Sequence, residues 1–154
     1  MDKPSFVQVG SDAIETRSRL QITGNAGLYY VSWHLSRRGW HVMPTVRNAR
    51  GSDLIVTNSD ETVYLGVQSK ALSKRAPVPL GRNLDSLCSD WWIITINANN
   101  EQPTCFVMTR EEVKGLAYTD RVIKSDKGPA HWLQPKAYDR PEYRNAWHRL
   151  DNGC

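Results

Sequence analysis

The chain has 154 residues, of which 40% are hydrophobic and 23% charged, and its formal charge at neutral pH is +4. These values are ordinary for one soluble globular domain, and the apolar runs fall well short of the about 20 residues that a membrane-spanning helix needs. Because the amino terminus also lacks the layout of a signal peptide, we expect a cytoplasmic protein without a membrane partner.

Two helices are predicted before the first strand. A short helix is expected over residues 11–20, where acidic side chains in the first turn suit the helix dipole. A second helix is predicted over residues 25–38 because apolar residues recur on one face at three- and four-residue spacing. Gly39 then supplies the left-handed residue that ends many helices. The residues of the apolar face are Leu28, Val31 and Leu35.

Residues 51–70 are predicted to form a hairpin that carries polar side chains on one face and apolar core side chains on the other. Two apolar runs flank residues 57–61, whose Asn and Asp residues are typical of a turn. Gln68 and Lys70 lie two residues apart on the second strand and therefore point to the same face. Antiparallel pairing would bring both of them towards Asp53, which precedes the first run.

The rest of the chain supplies further strands and helices. Strands are predicted over residues 41–47, 91–96 and 104–108, and a loop is predicted over residues 73–81. The run 91–96 is almost entirely apolar, which is typical of a central strand buried on both faces. A helix begins after Thr109, and a last helix is predicted over residues 141–150 with Pro141 in its first turn.

The hairpin resembles the core of the PD-(D/E)xK nuclease superfamily, in which an acid precedes one strand and an (acid or amide)-x-Lys pattern ends the next. Asp53 matches the first acidic position, Gln68 the second and Lys70 the lysine. The resemblance covers roughly residues 24–109. The first helix of the superfamily often carries a glutamate that faces the metal, and Gly27 stands at the matching position, so two carboxylates of the pattern are missing.

The resemblance implies a fold of the α/β class, with a restriction-endonuclease-like αβββαβ core and a central mixed sheet flanked by helices. No linker or repeat divides the sequence, so residues 1–154 are expected to form a single nuclease-like domain. Its core would cover about residues 24–115, followed by a C-terminal extension over residues 116–154.

In that superfamily the acids hold a divalent metal beside the scissile phosphate, and the lysine orients or activates the attacking water. The resemblance therefore implies a Mg²⁺- or Mn²⁺-dependent endonuclease that hydrolyses phosphodiester bonds in DNA, with Asp53 and Gln68 as metal ligands and Lys70 as the third catalytic residue. An amide brings no charge to a dication, so weak metal binding is expected. A catalytically inactive module with the same fold, which binds nucleic acid or a protein partner, stays open, as does a homodimer.

Basic residues flank the proposed site in the sequence. Residues 37–50 hold four arginines and no acid, and residues 70–82 hold four basic residues and no acid. Such charge attracts phosphate and favours a nucleic-acid partner, although a solvated basic face without a partner is the competing interpretation. The predicted nucleic-acid contacts are Arg47, Arg50, Lys74, Arg75 and Arg82.

Overall fold

The computed structural model describes residues 9–46, 51–121 and 126–151. The helices are α1 (Val9–Ser36), α2 (Arg110–Leu116), α3 (Pro135–Tyr138) and α4 (His148–Asp151). The strands are β1 (His41–Pro44), β2 (Leu54–Thr57), β3 (Tyr64–Ala71), β4 (Val78–Gly81), β5 (Trp91–Ile96), β6 (Thr104–Thr109), β7 (Tyr118–Thr119) and β8 (His131–Leu133). No helix in the described part of the chain is long and apolar enough to cross a membrane.

Five strands form a central mixed sheet in the order β1-β2-β3-β5-β6. The strands β1, β2 and β3 pair antiparallel, β3 pairs parallel with β5, and β5 pairs antiparallel with β6. The strand β5 therefore lies between two neighbours, as its apolar sequence predicts. The helix α1 packs against the sheet at β3, and α2 packs at β5 and β6. The predicted α/β class with a mixed sheet flanked by helices is confirmed.

Alternation along the strands gives the sheet two apolar faces. Val67 of β3 is fully buried in one core together with Val31 and Leu35 of α1. Trp92 of β5 is buried in the other core, which also contains Val113 of α2. Because neighbouring residues of a strand point to opposite faces, α1 and the residues of β3 that face it lie across the sheet from the second core.

The two helices predicted before β1 are one continuous helix. The helix α1 has 28 residues and passes through Gly24, which lies between the two predicted helices. A glycine inside a helix costs only about 1 kcal/mol relative to alanine, and a helix this long can absorb that cost. The predicted end is confirmed, because Gly39 has φ +93° and the N–H of Trp40 donates to the carbonyl of Leu35 at 3.2 Å.

A second, three-stranded sheet in the order β4-β8-β7 lies beyond the central one. Its strand β4 occupies part of residues 73–81, which were predicted to be a loop. Val78 and Leu133 pair across β4 and β8, and both are fully buried in the core that contains Trp92. This burial is a tertiary contact between distant segments, and it overrides a local composition that is rich in proline.

The prediction of one helix over residues 141–150 is wrong, since only α4 is helical there. The N–H of Val107 donates to the carbonyl of Tyr143 at 2.8 Å, and the N–H of Asn145 donates to the carbonyl of Cys105 at 2.7 Å. These bonds go to the outer edge of β6, and Asn145 takes a left-handed φ of +48°. The backbone of this segment therefore makes hydrogen bonds to the edge strand β6 in place of the hydrogen bonds of a helix.

Candidate active site

Backbone pairing of the hairpin places Asp53 beside Gln68. Leu54 pairs with Val67, so the residue before β2 lies next to the residue after Val67. Nε2 of Gln68 donates to Oδ2 of Asp53 at 2.5 Å, and the backbone N–H of Ser69 donates to the same oxygen at 2.9 Å. One carboxylate oxygen is thus fixed by two donors. Oδ1 of Asp53 and Oε1 of Gln68 have no hydrogen-bond partner among the described residues.

Lys70 lies on the same face of β3 as Gln68, and both line a cleft of about 410 Å³. The floor of the cleft is Trp92, which pairs with Gln68 across β3 and β5 and is only 3% exposed. Nζ of Lys70 lies 5.8 Å from the centroid of the Trp92 ring, within the range of a cation–π contact. Within the described ranges Lys70 forms no ion pair with an acidic side chain, and it lines the cleft. The wall opposite β3 comes from β4 and the short 3₁₀ turn at Leu84–Ser86.

The basic residues that are predicted to contact nucleic acid differ in whether their side chains already have an ion-pair or hydrogen-bond partner. Arg47 and Arg50 lie outside the described residues. Nε of Arg75 pairs with Oδ2 of Asp139 at 2.7 Å, and the guanidinium of Arg82 donates to the carbonyl of Gly128. Lys74 is exposed and makes no ion pair or hydrogen bond within the described chain. Of the three described cations, Lys74 therefore has the charge most available to a ligand.

Gly27 lies at a close approach between α1 and β3. A Cβ atom at Gly27 would collide with the Cβ of Ala71 on β3. Ala71 follows Lys70 and therefore points to the face of the sheet that α1 covers, away from the cleft. No larger side chain fits at Gly27 while α1 lies this close to β3, so packing is sufficient to account for a glycine at this position.

Sequence reasoning missed the contacts that tie the start of β3 to its neighbours. The N–H of Gly66 donates to Oδ2 of Asp90 at 2.7 Å, and the hydroxyls of Ser52 and Ser89 lie 2.9 Å apart. A Cβ at Gly66 would collide with the hydroxyl of Ser52. A glycine inside a strand pattern is the sequence feature that marks such a close approach. These bonds hold the segment before Asp53 against the beginning of β5.

The oxygen donors at the site are compatible with a hard cation, although they are few. Asp53 offers a carboxylate and Gln68 an amide oxygen, which are ligand types that Mg²⁺ accepts. Among the residues that the structure describes, no group of three or more His, Cys, Asp or Glu side chains is placed to hold a metal ion. Mg²⁺ commonly binds through one or two carboxylates and completes its shell with water and substrate phosphate. The pair therefore fits an ion that arrives with, or is retained by, a phosphate ligand.

Comparison with solved structures shows a nuclease fold. A bacterial homing endonuclease, I-Ssp6803I, matches with a TM-score of 0.57 and 16% sequence identity, over 86% of this chain and 94% of that one. Hjc, a Holliday junction resolvase from the archaeal hyperthermophile Archaeoglobus fulgidus, matches with a TM-score of 0.48 and 11% identity, over 71% of this chain and 89% of that one. No family model and no curated protein matches the sequence. The chain therefore shares its fold, a central mixed sheet flanked by helices, with the homing endonuclease.

Proposed function

We propose that the protein is a metal-dependent endonuclease that hydrolyses phosphodiester bonds in DNA. The observation that carries the proposal is the contact between Asp53 and Gln68 beside the cleft that Gln68 shares with Lys70, on a fold shared with a homing endonuclease. Because a fold alone does not define a reaction, the proposed activity is argued from the side chains of Asp53, Gln68 and Lys70.

Asp53 and Gln68 are proposed to hold Mg²⁺ or Mn²⁺. When bound, the ion would polarise a phosphate oxygen and offset the charge that develops there. Asp53 supplies the negative charge of the site, and the N–H of Ser69 holds its carboxylate in one orientation. Gln68 contributes an oxygen without charge. The arrangement supports weak binding of the ion alone and tighter binding once a DNA phosphate adds its own charged oxygens.

Lys70 is proposed to act on the attacking water or on the scissile phosphate. Its ammonium group lies over the Trp92 ring and has no acid partner within the described residues. An ammonium group without a neighbouring carboxylate can donate to a phosphate oxygen or orient water without first breaking an ion pair. Trp92 is nearly fully buried, so its ring provides a fixed support for the lysine side chain.

A catalytically inactive module that binds nucleic acid is the second candidate. It is favoured by one observation, which is that two donors already satisfy Oδ2 of Asp53. In that case the amide of Gln68 takes the place of a cation, and the cleft serves only to bind phosphate. The two candidates share the fold and differ in whether metal ions and DNA cleavage are involved.

Cleavage of supercoiled plasmid and of branched DNA in Mg²⁺ and in Mn²⁺ separates the two candidates. The wild type should nick both substrates in a metal-dependent manner, and Asp53→Ala should abolish the cut. Asp60→Ala is the matched control, because Asp60 lies in the turn at the far end of the same hairpin and is exposed. Metal-independent cleavage, or cleavage by Asp53→Ala at the wild-type rate, would refute the proposed site. DNA binding without any cleavage would favour the inactive module.

A further inference from the structure

The second sheet turns a row of apolar rings towards solvent. Pro79 of β4 pairs with Trp132 of β8, and Trp132 pairs with Tyr118 of β7. Paired residues of antiparallel strands share a face, so these three side chains lie side by side. The opposite face of the same sheet carries the fully buried Val78 and Leu133. The row is therefore on the outer face, where Tyr118 is 48% exposed.

This row, Pro79-Trp132-Tyr118, connects the cleft to a second groove. At one end, Pro79 lines the cleft together with Gln68 and Lys70. At the other end, Tyr118 lines a groove of about 410 Å³ with Arg75, Gln134, Pro135 and Lys136. A ligand that follows the row would thus begin beside Lys70 and end between an exposed aromatic ring and cationic side chains.

The second groove offers charge as well as an aromatic surface. Lys136 is exposed, and its side chain has no ion pair or hydrogen bond in the described part of the molecule. Arg75 is half exposed and engages Asp139 through Nε, while its two terminal nitrogens have no partner among the described residues. An aromatic platform bordered by cations is the usual chemistry of sites that bind unpaired nucleotides, because the rings stack on bases and the cations meet the backbone.

We propose that the outer face of the second sheet binds unpaired nucleotides next to the scissile phosphate. Bases in a continuous duplex are stacked on one another and cannot lie on these rings, whereas bases of an overhang or a branch can. The preferred ligand is therefore DNA with a single-stranded segment that leads away from the cleft. The position of the cut rests on the proposed nuclease function, while the binding preference does not.

Binding in EDTA tests the inference without any dependence on cleavage. The probes are a blunt DNA duplex and the same duplex with a single-stranded overhang that carries 2-aminopurine, whose fluorescence falls when the base stacks. The wild type should bind the overhang DNA at least several-fold more tightly than the blunt duplex and quench 2-aminopurine within it. Tyr118→Ala should weaken overhang binding by about five- to a hundred-fold, the usual effect of removing one stacking partner, and should leave duplex binding unchanged.

Two control variants test whether a loss of overhang binding is due to the ring of Tyr118. Tyr118→Phe keeps the ring and should bind the overhang as the wild type does. Tyr29→Ala removes a tyrosine that is 66% exposed on α1, across the central sheet from the cleft, and should also have no effect. Equal affinity of the wild type for the two probes, no binding to either, or an unchanged affinity of Tyr118→Ala for the overhang would overturn the inference. Overhang binding by a protein that cuts no DNA would uphold it and refute the nuclease function instead.

Discussion

Nε2 of Gln68 lies 2.5 Å from Oδ2 of Asp53, so the side chains of the two proposed metal ligands are hydrogen-bonded to each other. An amide can make this contact without a cation between the two side chains, whereas a second carboxylate at the same separation would repel the first. The contact between the two side chains therefore needs no cation, and a carboxylate in place of the Gln68 amide should make the stability of the site depend on metal.

Replacing Gln68 with Glu should destabilise the metal-free protein and increase its response to metal. Two carboxylates at this separation repel each other by several kcal/mol at an effective dielectric of about 20, unless one of them is protonated or a cation lies between them. We expect a lower melting temperature in EDTA, recovered by Mg²⁺ or Mn²⁺, and cleavage at lower metal concentration. Gln102→Glu, on an exposed turn, is the control for added charge. A Gln68→Glu protein that metal neither stabilises nor activates would support the inactive module.

Lys74 should contribute to DNA affinity through charge alone. It is exposed and has no partner within the described residues, so Lys74→Ala should leave the free energy of unfolding unchanged. Loss of one duplex phosphate contact should reduce the slope of log K against log salt concentration by about 0.9, for any DNA sequence. Arg75→Ala should also reduce stability, because it breaks the ion pair with Asp139. An unchanged salt slope for Lys74→Ala would place Lys74 outside the interface.

Gly27→Ala should destabilise the fold by about 1 to 3 kcal/mol, because the new methyl group would overlap the side chain of Ala71. Urea unfolding of Gly27→Ala, Ala71→Gly and the double variant provides the measurement. The double variant restores the space between α1 and β3, so the two effects should not add, and the double variant should be more stable than additivity predicts. Strict additivity would argue that the two residues do not touch.

His34 should make the protein less stable as the pH falls below neutrality. Burial, helped by the charges of Arg38 and Arg37, lowers the pKa of His34 from 6.5 to about 4, and its ring stacks on Trp147 at 4.5 Å. Because the folded pKa lies below the unfolded one, the unfolded chain binds the extra proton between these values, and stability is lost as pH falls through this window.

The measurement is the free energy of unfolding at pH 7 and at pH 4.5 in the wild type and in His34→Phe. Phe keeps a ring against Trp147 and removes the titration. The loss of stability between the two pH values should be smaller in the variant by on the order of 1 kcal/mol, after allowance for solvent screening of a partly exposed ring. The control is His148→Gln, at an exposed position of α4. Equal pH dependence in wild type and His34→Phe would contradict the assignment.

The hairpin and the central strand could be predicted because the residues that determine them are close together in the sequence. Asp53, Gln68 and Lys70 sit in a pattern of alternation and turn residues that fixes which of them share a face. The short, continuous apolar run of β5 is likewise typical of a strand that is buried on both faces.

The second sheet and the C-terminal segment could not be predicted, because their partners are distant in sequence. The strand β4 has four residues, includes a proline and pairs with β8, about fifty residues later. The helical spacing of Tyr143, Ala146, Trp147 and Leu150 is consistent with the burial of all four side chains. It could not show that the backbone at Tyr143 and Asn145 bonds to the exposed edge of β6.

Single-turnover cleavage of one fluorescent branched DNA, with the enzyme in excess, tests the central claim most directly. The wild type, Asp53→Asn and Lys70→Met are compared across a Mg²⁺ titration, with DNA binding measured separately in EDTA. Met keeps an unbranched apolar side chain over Trp92 and removes the ammonium group. We predict that both variants bind the DNA and cut it at least about 100-fold more slowly than the wild type, as expected for loss of a catalytic group. Cleavage by either variant at the wild-type rate, or no cleavage by the wild type of DNA that it binds, would contradict the account.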